Sequence, residues 1–216
     1  MSEPNEPKRG AGVRGAKARR GPPWYTSNVE TPSVPAAYSL NYEDWLQFPD
    51  DGRLYELIDG ELYVSPPPSI RHQRISRELG FVLLTYLRRT GKGELLYAPV
   101  GVRLARDSVL EPDILVVLHE HASQVGEQVI EGPPDLVVEI LSPETARRDL
   151  GVKREKYRAT GVPEYWIVDP VHAAIEVLVL ENGDYVRYGL FGVADTLRSR
   201  VLSDLEISLA EVLPGR

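Results

Sequence analysis

Cysteine is missing altogether from the 216 residues, which excludes disulfides, thiolate nucleophiles and cysteine-ligated zinc or iron–sulfur sites together. Long apolar runs are missing too: none approaches the roughly 20 residues a membrane-spanning helix needs, so no integral membrane protein is expected. The first residues lack the apolar stretch of a secretory signal, which points to a cytoplasmic protein. Internal repeats are absent, which rules out solenoids and propellers. There is no Gly-x4-Gly-Lys-Ser/Thr loop to cradle nucleotide phosphates and no Gly-x-Ser-x-Gly elbow for a serine nucleophile. Histidine is scarce, four in all. His119 and His121 stand two apart with no distant partner of evident ligand spacing, so a histidine-based zinc site is not expected. A positive balance is absent as well: the formal net charge is −7, which argues against a generic nucleic-acid coat held by basic surface.

That total hides an uneven distribution. Met1 to Pro22 carries six basic residues (Lys8, Arg9, Arg14, Lys17, Arg19 and Arg20) against two Glu, about +4, and the remainder is about −11. The N-terminal stretch is rich in Gly, Pro and Arg with almost nothing apolar to bury. It cannot offset an ordering cost of about 1–2 kcal/mol per residue. Residues 1–36 are therefore expected to be a flexible basic arm, which could touch nucleic acid or acidic partners or act only as a solubilising extension. Residues 37–216 are expected to form one folded domain.

Within that domain Ser39 or Asn41 can cap a short helix through Trp45 and Phe48. Leu54–Ile58 meets Glu61–Val64 across Asp59-Gly60, a hairpin signal because both turn positions need φ > 0. Ile70 to Arg89 reads as a long helix, with Ile75, Leu79, Val82, Leu83, Tyr86 and Leu87 at helical spacing and Gly91 to end it. Short apolar runs follow: Leu95–Tyr97, Val100–Leu104, Asp113–Leu118 and Leu136–Leu141, the last two too continuously apolar for exposed edges. A second helix runs from the Ser142–Thr145 turn to Thr160. Tyr165–Val168 returns as a strand, and a second hairpin forms across Asn182-Gly183. The expected architecture is α/β, a central mixed sheet flanked by helices with extra β-hairpins.

Charges stand where buried strands should have none. Glu139 lies in the middle of LVVEIL, where an isolated carboxylate costs several kcal/mol unless paired, protonated or metal-bound. Asp113 follows Pro112, which cannot donate to a ladder and so marks a strand's first position at the sheet rim. Each alone has an ordinary explanation, a buried ion pair for Glu139 and a turn for Asp113. Two such carboxylates in one small sheet can share a divalent cation, and magnesium prefers one or two carboxylates plus water and phosphate oxygens. A lysine at 141 would be the simplest catalytic partner, but that residue is Leu141. With Leu150 and Tyr157 as the buried seam of the second helix, Lys153 lies about 60° from the seam and Lys156 about 120°. Lys153 thus borders the buried side and Lys156 faces solvent.

Pro112-Asp113 followed by Glu139-Ile140-Leu141 resembles the PD-(D/E)xK nuclease signature with its lysine displaced. Taken in order, YELIDGEL, RHQRI, EPDILVV, PDLVVEILSP and K-x3-Y-x3-GVPEYWIVDP resemble the Uma-two family of putative restriction endonucleases over about residues 40–213. The resemblance implies a restriction-endonuclease-like core and metal-dependent phosphodiester hydrolysis, with Mg2+ or Mn2+ as cofactor. It makes Asp113 and Glu139 the metal-binding carboxylates and the Ile140 carbonyl a further ligand. Lys153 stands in for the missing lysine, with Lys156 as its rival. Glu56 is the acidic residue from the N-terminal part, with Glu61 as the alternative, and His72 is an auxiliary that could contact phosphate or water. Tyr157 and Trp166 match the family pattern but read as packing.

Nucleic acid, DNA in the first instance, is the implied partner, and a homodimer is compatible with the apolar strands. A nuclease needs basic residues only around its cleft. Arg71, Arg74 and Arg77 on the long helix, and Arg147 to Arg158 on the second, are candidates for that role or plain solvated faces. A catalytically inactive nucleic-acid-binding or interaction module, and a metal-dependent hydrolase of another substrate, remain open.

Overall fold

The structure, a computed structural model, describes residues 39–213, so the expected arm lies outside the described residues. The first helix, α1 (Tyr42–Trp45), is short and begins on Asn41, whose side chain accepts from the amides of Glu43 and Asp44 in a capping box. Strands β1 (Leu54–Ile58) and β2 (Glu61–Ser65) form the first hairpin, with Asp59 and Gly60 at φ 52° and 78°. Helix α2 (Ile70–Thr90) is capped by Ser69 and closed by Gly91 in the left-handed region. Strands β3 (Gly93–Tyr97), β4 (Gly101–Ala105), β5 (Ser108–Leu110), β6 (Ile114–Leu118), β7 (Val129–Glu131) and β8 (Leu136–Ile140) follow. Helix α3 (Ala146–Arg148) passes through a π-helical turn at Asp149–Lys153 into α4 (Arg154–Thr160). The chain finishes with β9 (Glu164–Asp169), β10 (Ala174–Glu181), β11 (Asp184–Gly192), β12 (Thr196–Arg198), β13 (Glu206–Ser208) and α5 (Leu209–Val212).

One sheet was expected, and the strands divide among three. Six of them lie in the order β11-β10-β9-β8-β6-β3, antiparallel except for the parallel pair β8–β9. Five others, in the order β2-β1-β5-β4-β7, make a second sheet, and β12–β13 form a separate pair. The second sheet escapes a sequence reading because β5 and β7 have three residues each, too few for alternation to register.

Alternation along β8 separates two cores. Val138 and Ile140 pack with α2 through Ile75, Leu79 and Leu83, joined by α5 through Leu209 and Val212. Val137 faces the other way, toward Tyr157 of α4, Ile58 of β1 and Leu178. Glu139 shares the face of Val137, so its carboxylate enters the space between the six-stranded sheet, β1 and α4. Glu56 enters the same space from β1, two residues before Ile58. This three-sided wedge, closed by apolar packing on both flanks, positions the site.

The second helix departs from the expected geometry. Leu150 is 46% exposed, and the buried residues are Asp149, Lys153 and Tyr157, four apart. The π turn is the cause: it widens the repeat by one residue and turns the helix about its axis. The seam moves off Leu150, and Lys153 comes fully inside instead of bordering the core.

Candidate active site

Strands β6 and β8 pair with Ile114 opposite Val138, so the next step of the antiparallel register brings Asp113 beside Glu139 at one end of the sheet. Asp113 Oδ2 accepts from the Ile140 amide at 2.7 Å and lies 3.1 Å from His72 Nε2. Ile140 thus touches the site through its backbone. His72, buried on the first turn of α2, has its Nδ1 enclosed without a partner among the described residues. Burial opposes charge on the His72 ring, but the Asp113 hydrogen bond and charge outweigh it and raise the pKa.

Lys153 forms the centre of the buried side. Its ammonium is 2.5 Å from Glu139 Oε1, 2.8 Å from Glu56 Oε1 and 3.5 Å from Asp149 Oδ1, and the residue is 2% exposed. Burial works against its charge, yet Glu139, Glu56 and Asp149 together raise its pKa, so it stays an ammonium. A lysine so held cannot act as a general base. Burial pushes the Glu139 carboxyl well up, against the pull of Lys153. The Tyr157 hydroxyl also donates to Glu139 Oε1, at 2.7 Å.

Two expected candidates are not brought in. Glu61 is exposed at the start of β2 and accepts from the Tyr63 hydroxyl at 2.9 Å. It pairs with Ile58 and so shares the face of Glu56, but it stands at the turn end of the hairpin, where it is left exposed. Lys156 pairs with Asp59 of the same hairpin, on the outer side of the helix that its spacing from Tyr157 predicts.

Four residues of the cluster were not anticipated in this role: Glu111, Arg148, Asp149 and Tyr157. Arg148 Nη2 lies 3.1 Å from Glu56 Oε2 and donates to Ser65 Oγ at 2.5 Å. The Glu111 amide donates to Glu56 Oε1 at 3.0 Å, while its own carboxylate is buried with Oε2 unpartnered. Burial first, and Glu56 second, push Glu111 up to about 7. Burial likewise raises Asp149, against Lys153. The 149/153/157 spacing could have flagged three of the buried groups, had the seam been placed on them.

Five carboxylates (Glu56, Glu111, Asp113, Glu139 and Asp149) therefore face two permanent cations, Lys153 and Arg148. Among the described residues Glu111 Oε2 is buried with no partner, and Glu56 Oε2 and Asp149 Oδ1 have only ion contacts, to Arg148 at 3.1 Å and Lys153 at 3.5 Å. Such an excess is tolerable only with protons or a cation. The donor set, all hard oxygen, fits a magnesium-like ion. Asp113 Oδ1 and Glu139 Oε2 make no hydrogen bond to described residues, and both side chains line a cleft of about 480 Å³ with Ile140, Arg148 and Lys153. Asp113, Glu139 and the Ile140 carbonyl are the groups that would hold it.

A different set has the tightest ligand geometry among the described residues. Ligand atoms of Glu120, His121 and Asp135 lie within 4.8 Å of one another. Asp135 is thus a spatial partner for His121, which the spacing did not reveal. The buried Asp135 is already committed, accepting from the Leu118 amide at 2.7 Å and meeting His121 Nδ1 at 2.8 Å. This is a loop anchor at the far end of β6 from Asp113.

The sequence model of the Uma2 family, described as putative restriction endonuclease, matches residues 42–210. The chain belongs to this family. A solved structure of a putative nuclease belonging to DUF820 from Anabaena variabilis superposes with a TM-score of 0.68 at 18% identity, covering 81% of this chain and 97% of that one. That likeness shows that the two chains share a fold. No curated protein matches the chain. Among the described residues no helix is long and apolar enough to cross a membrane.

Proposed function

We propose that the protein is a metal-dependent endonuclease that hydrolyses phosphodiester bonds in DNA, with Mg2+ or Mn2+ held by Asp113, Glu139 and the Ile140 carbonyl. The observation that carries this reading is the carboxylate excess at the wall of an open cleft, in a chain of a restriction-endonuclease family. A divalent cation there supplies charge neutralisation at the phosphate and a more acidic water. His72 donates to Asp113 and fixes its orientation, as outer partners of metal ligands do. Lys153 and Tyr157 hold Glu139 from behind, and Lys153 and Arg148 hold Glu56.

Lys153 is a positioning residue in this arrangement. Its ammonium is enclosed by Glu139, Glu56 and Asp149, which take up its hydrogen-bonding capacity and leave it to hold the carboxylates. The same observation favours a second reading, an inactive nucleic-acid-binding module in which Lys153 takes over the cation's electrostatic role. Plasmid cleavage titrated with Mg2+ and Mn2+ separates the two. The nuclease cuts only with metal, and Asp113→Ala lowers the rate by at least about 100-fold, the scale of losing a group that stabilises the transition state. An Asp113→Ala protein that cuts at the wild-type rate would end the proposal, and binding without any metal-dependent nicking would select the module.

A further inference from the structure

A second and larger cleft, about 1100 Å³, opens beside the first, and the two share Leu54, Pro68, His72, Glu111 and Asp113 as walls. Asp113 therefore stands at a junction. From it the larger cleft follows α2 along Gln73, Ser76, Arg77 and Phe81 toward Tyr97 of β3, with Phe48 and Arg53 on the facing side. Phe81 is 67% exposed and Tyr97 41%. Tyr97 packs against α2 at Gly80, where a Cβ would overlap the phenol ring. Two aromatic rings are thus held open to solvent in a groove that ends on the carboxylates.

We propose that this cleft is the path of an unpaired nucleic-acid strand, and that the substrate is single-stranded or locally melted rather than intact duplex. The inference rests on the nuclease reading for its phosphate anchor at Asp113. Within a duplex each base has neighbours on both faces, so exposed side-chain rings find a free face only on unpaired bases. The charges agree. Arg53 and Arg77 flank the cleft, their own side chains exposed and each paired with a nearby carboxylate, Asp51 and Glu78. Such pairs are weak and release the guanidinium to phosphate at little cost. Asp50 and Glu111 also stand in the wall, and the chain beyond residue 22 is about −11. Of the described residues lining this cleft, only Arg53 and Arg77 carry permanent positive charge, few for gripping both strands of a duplex. Phe81 lies nine residues beyond His72 on α2, about 14 Å at the helical rise, a span of about four stacked nucleotides.

The test is fluorescence anisotropy with a labelled single-stranded oligonucleotide and its duplex, in Ca2+, for wild type, Phe81→Ala and Phe81→Trp. Cleavage kinetics in Mn2+ run alongside. Single strand should bind at least about tenfold more tightly than duplex. Phe81→Ala should weaken single-strand binding about tenfold, the scale of one lost base stack, and raise KM more than it lowers kcat. Phe81→Trp should restore both, and abasic sites within about four nucleotides of the cut should erase the difference between wild type and Phe81→Ala. Equal affinity for duplex, or no effect of Phe81→Ala, overturns the strand path even if Asp113-dependent cleavage persists. Phe81-dependent binding with no cleavage in any metal supports the strand path and removes the nuclease reading instead.

Discussion

At the scale of single residues, the chemistry turns on which buried charges have partners. Glu139 and Glu164 look alike in sequence, each a carboxylate in an apolar strand of the same sheet. Glu164 accepts from Trp166 Nε1, Ser199 Oγ and the amides of Arg200 and Val201 at 2.6–3.1 Å. It is a satisfied structural staple, and Glu139 belongs to a cluster with too few cations. Sequence makes the buried carboxylate visible but leaves three of its four partners, 35 or more residues away at Ser199, Arg200 and Val201, out of sight. Lys153→Met should strand Glu139 and Glu56 and lower the unfolding free energy by about 3–5 kcal/mol in urea denaturation. Mn2+ should recover part of that loss, since a cation again faces the carboxylates. Glu111 carries a pH signature. Its folded-state pKa is raised from 4.5 to about 7, so the folded protein binds this proton more tightly than the unfolded chain. The contribution is fully present below about pH 4.5 and is lost as pH rises through 7. Metal-free Glu111→Gln should therefore exceed wild type in stability by up to about 3 kcal/mol at pH 8 and differ little at pH 5. Thermal melts at the two pH values check both sign and window.

At the scale of elements, the hairpins, the long helix and the strands of the six-stranded sheet were legible because they obey local rules. Asp59-Gly60 and Asn182-Gly183 take the positive φ their turns need, and α2 buries Ile75, Leu79 and Leu83 at helical spacing. The π turn was not legible, since nothing local distinguishes it from a regular helix through Leu150. It matters most for the site, because it carries Lys153 from the border of the core fully inside. Gly151 within it has nothing within 4 Å of a Cβ position and no positive φ. Gly151→Ala should then raise stability by up to about 1 kcal/mol through helix propensity, with cleavage unchanged. A fall in activity in that variant would mean the turn must flex during the reaction.

At the scale of the molecule, the total charge of −7 describes neither end of the chain. Acidic residues concentrate partly in the cluster around Lys153, where they would oppose a phosphate unless a cation intervened. Asp113 and Glu139 were readable as a pair because both stand in apolar strands. Their convergence required the antiparallel register of β6 and β8, and the second sheet that delivers Glu56 was invisible in two three-residue strands. Crystals soaked in Mn2+, measured on both sides of its absorption edge, test the cation directly. The expected result is an anomalous peak about 2.1 Å from Asp113 and Glu139 oxygens and the Ile140 carbonyl. A peak only at Glu120, His121 and Asp135, or none in this cleft at saturating Mn2+, would contradict a metal-dependent site at Asp113.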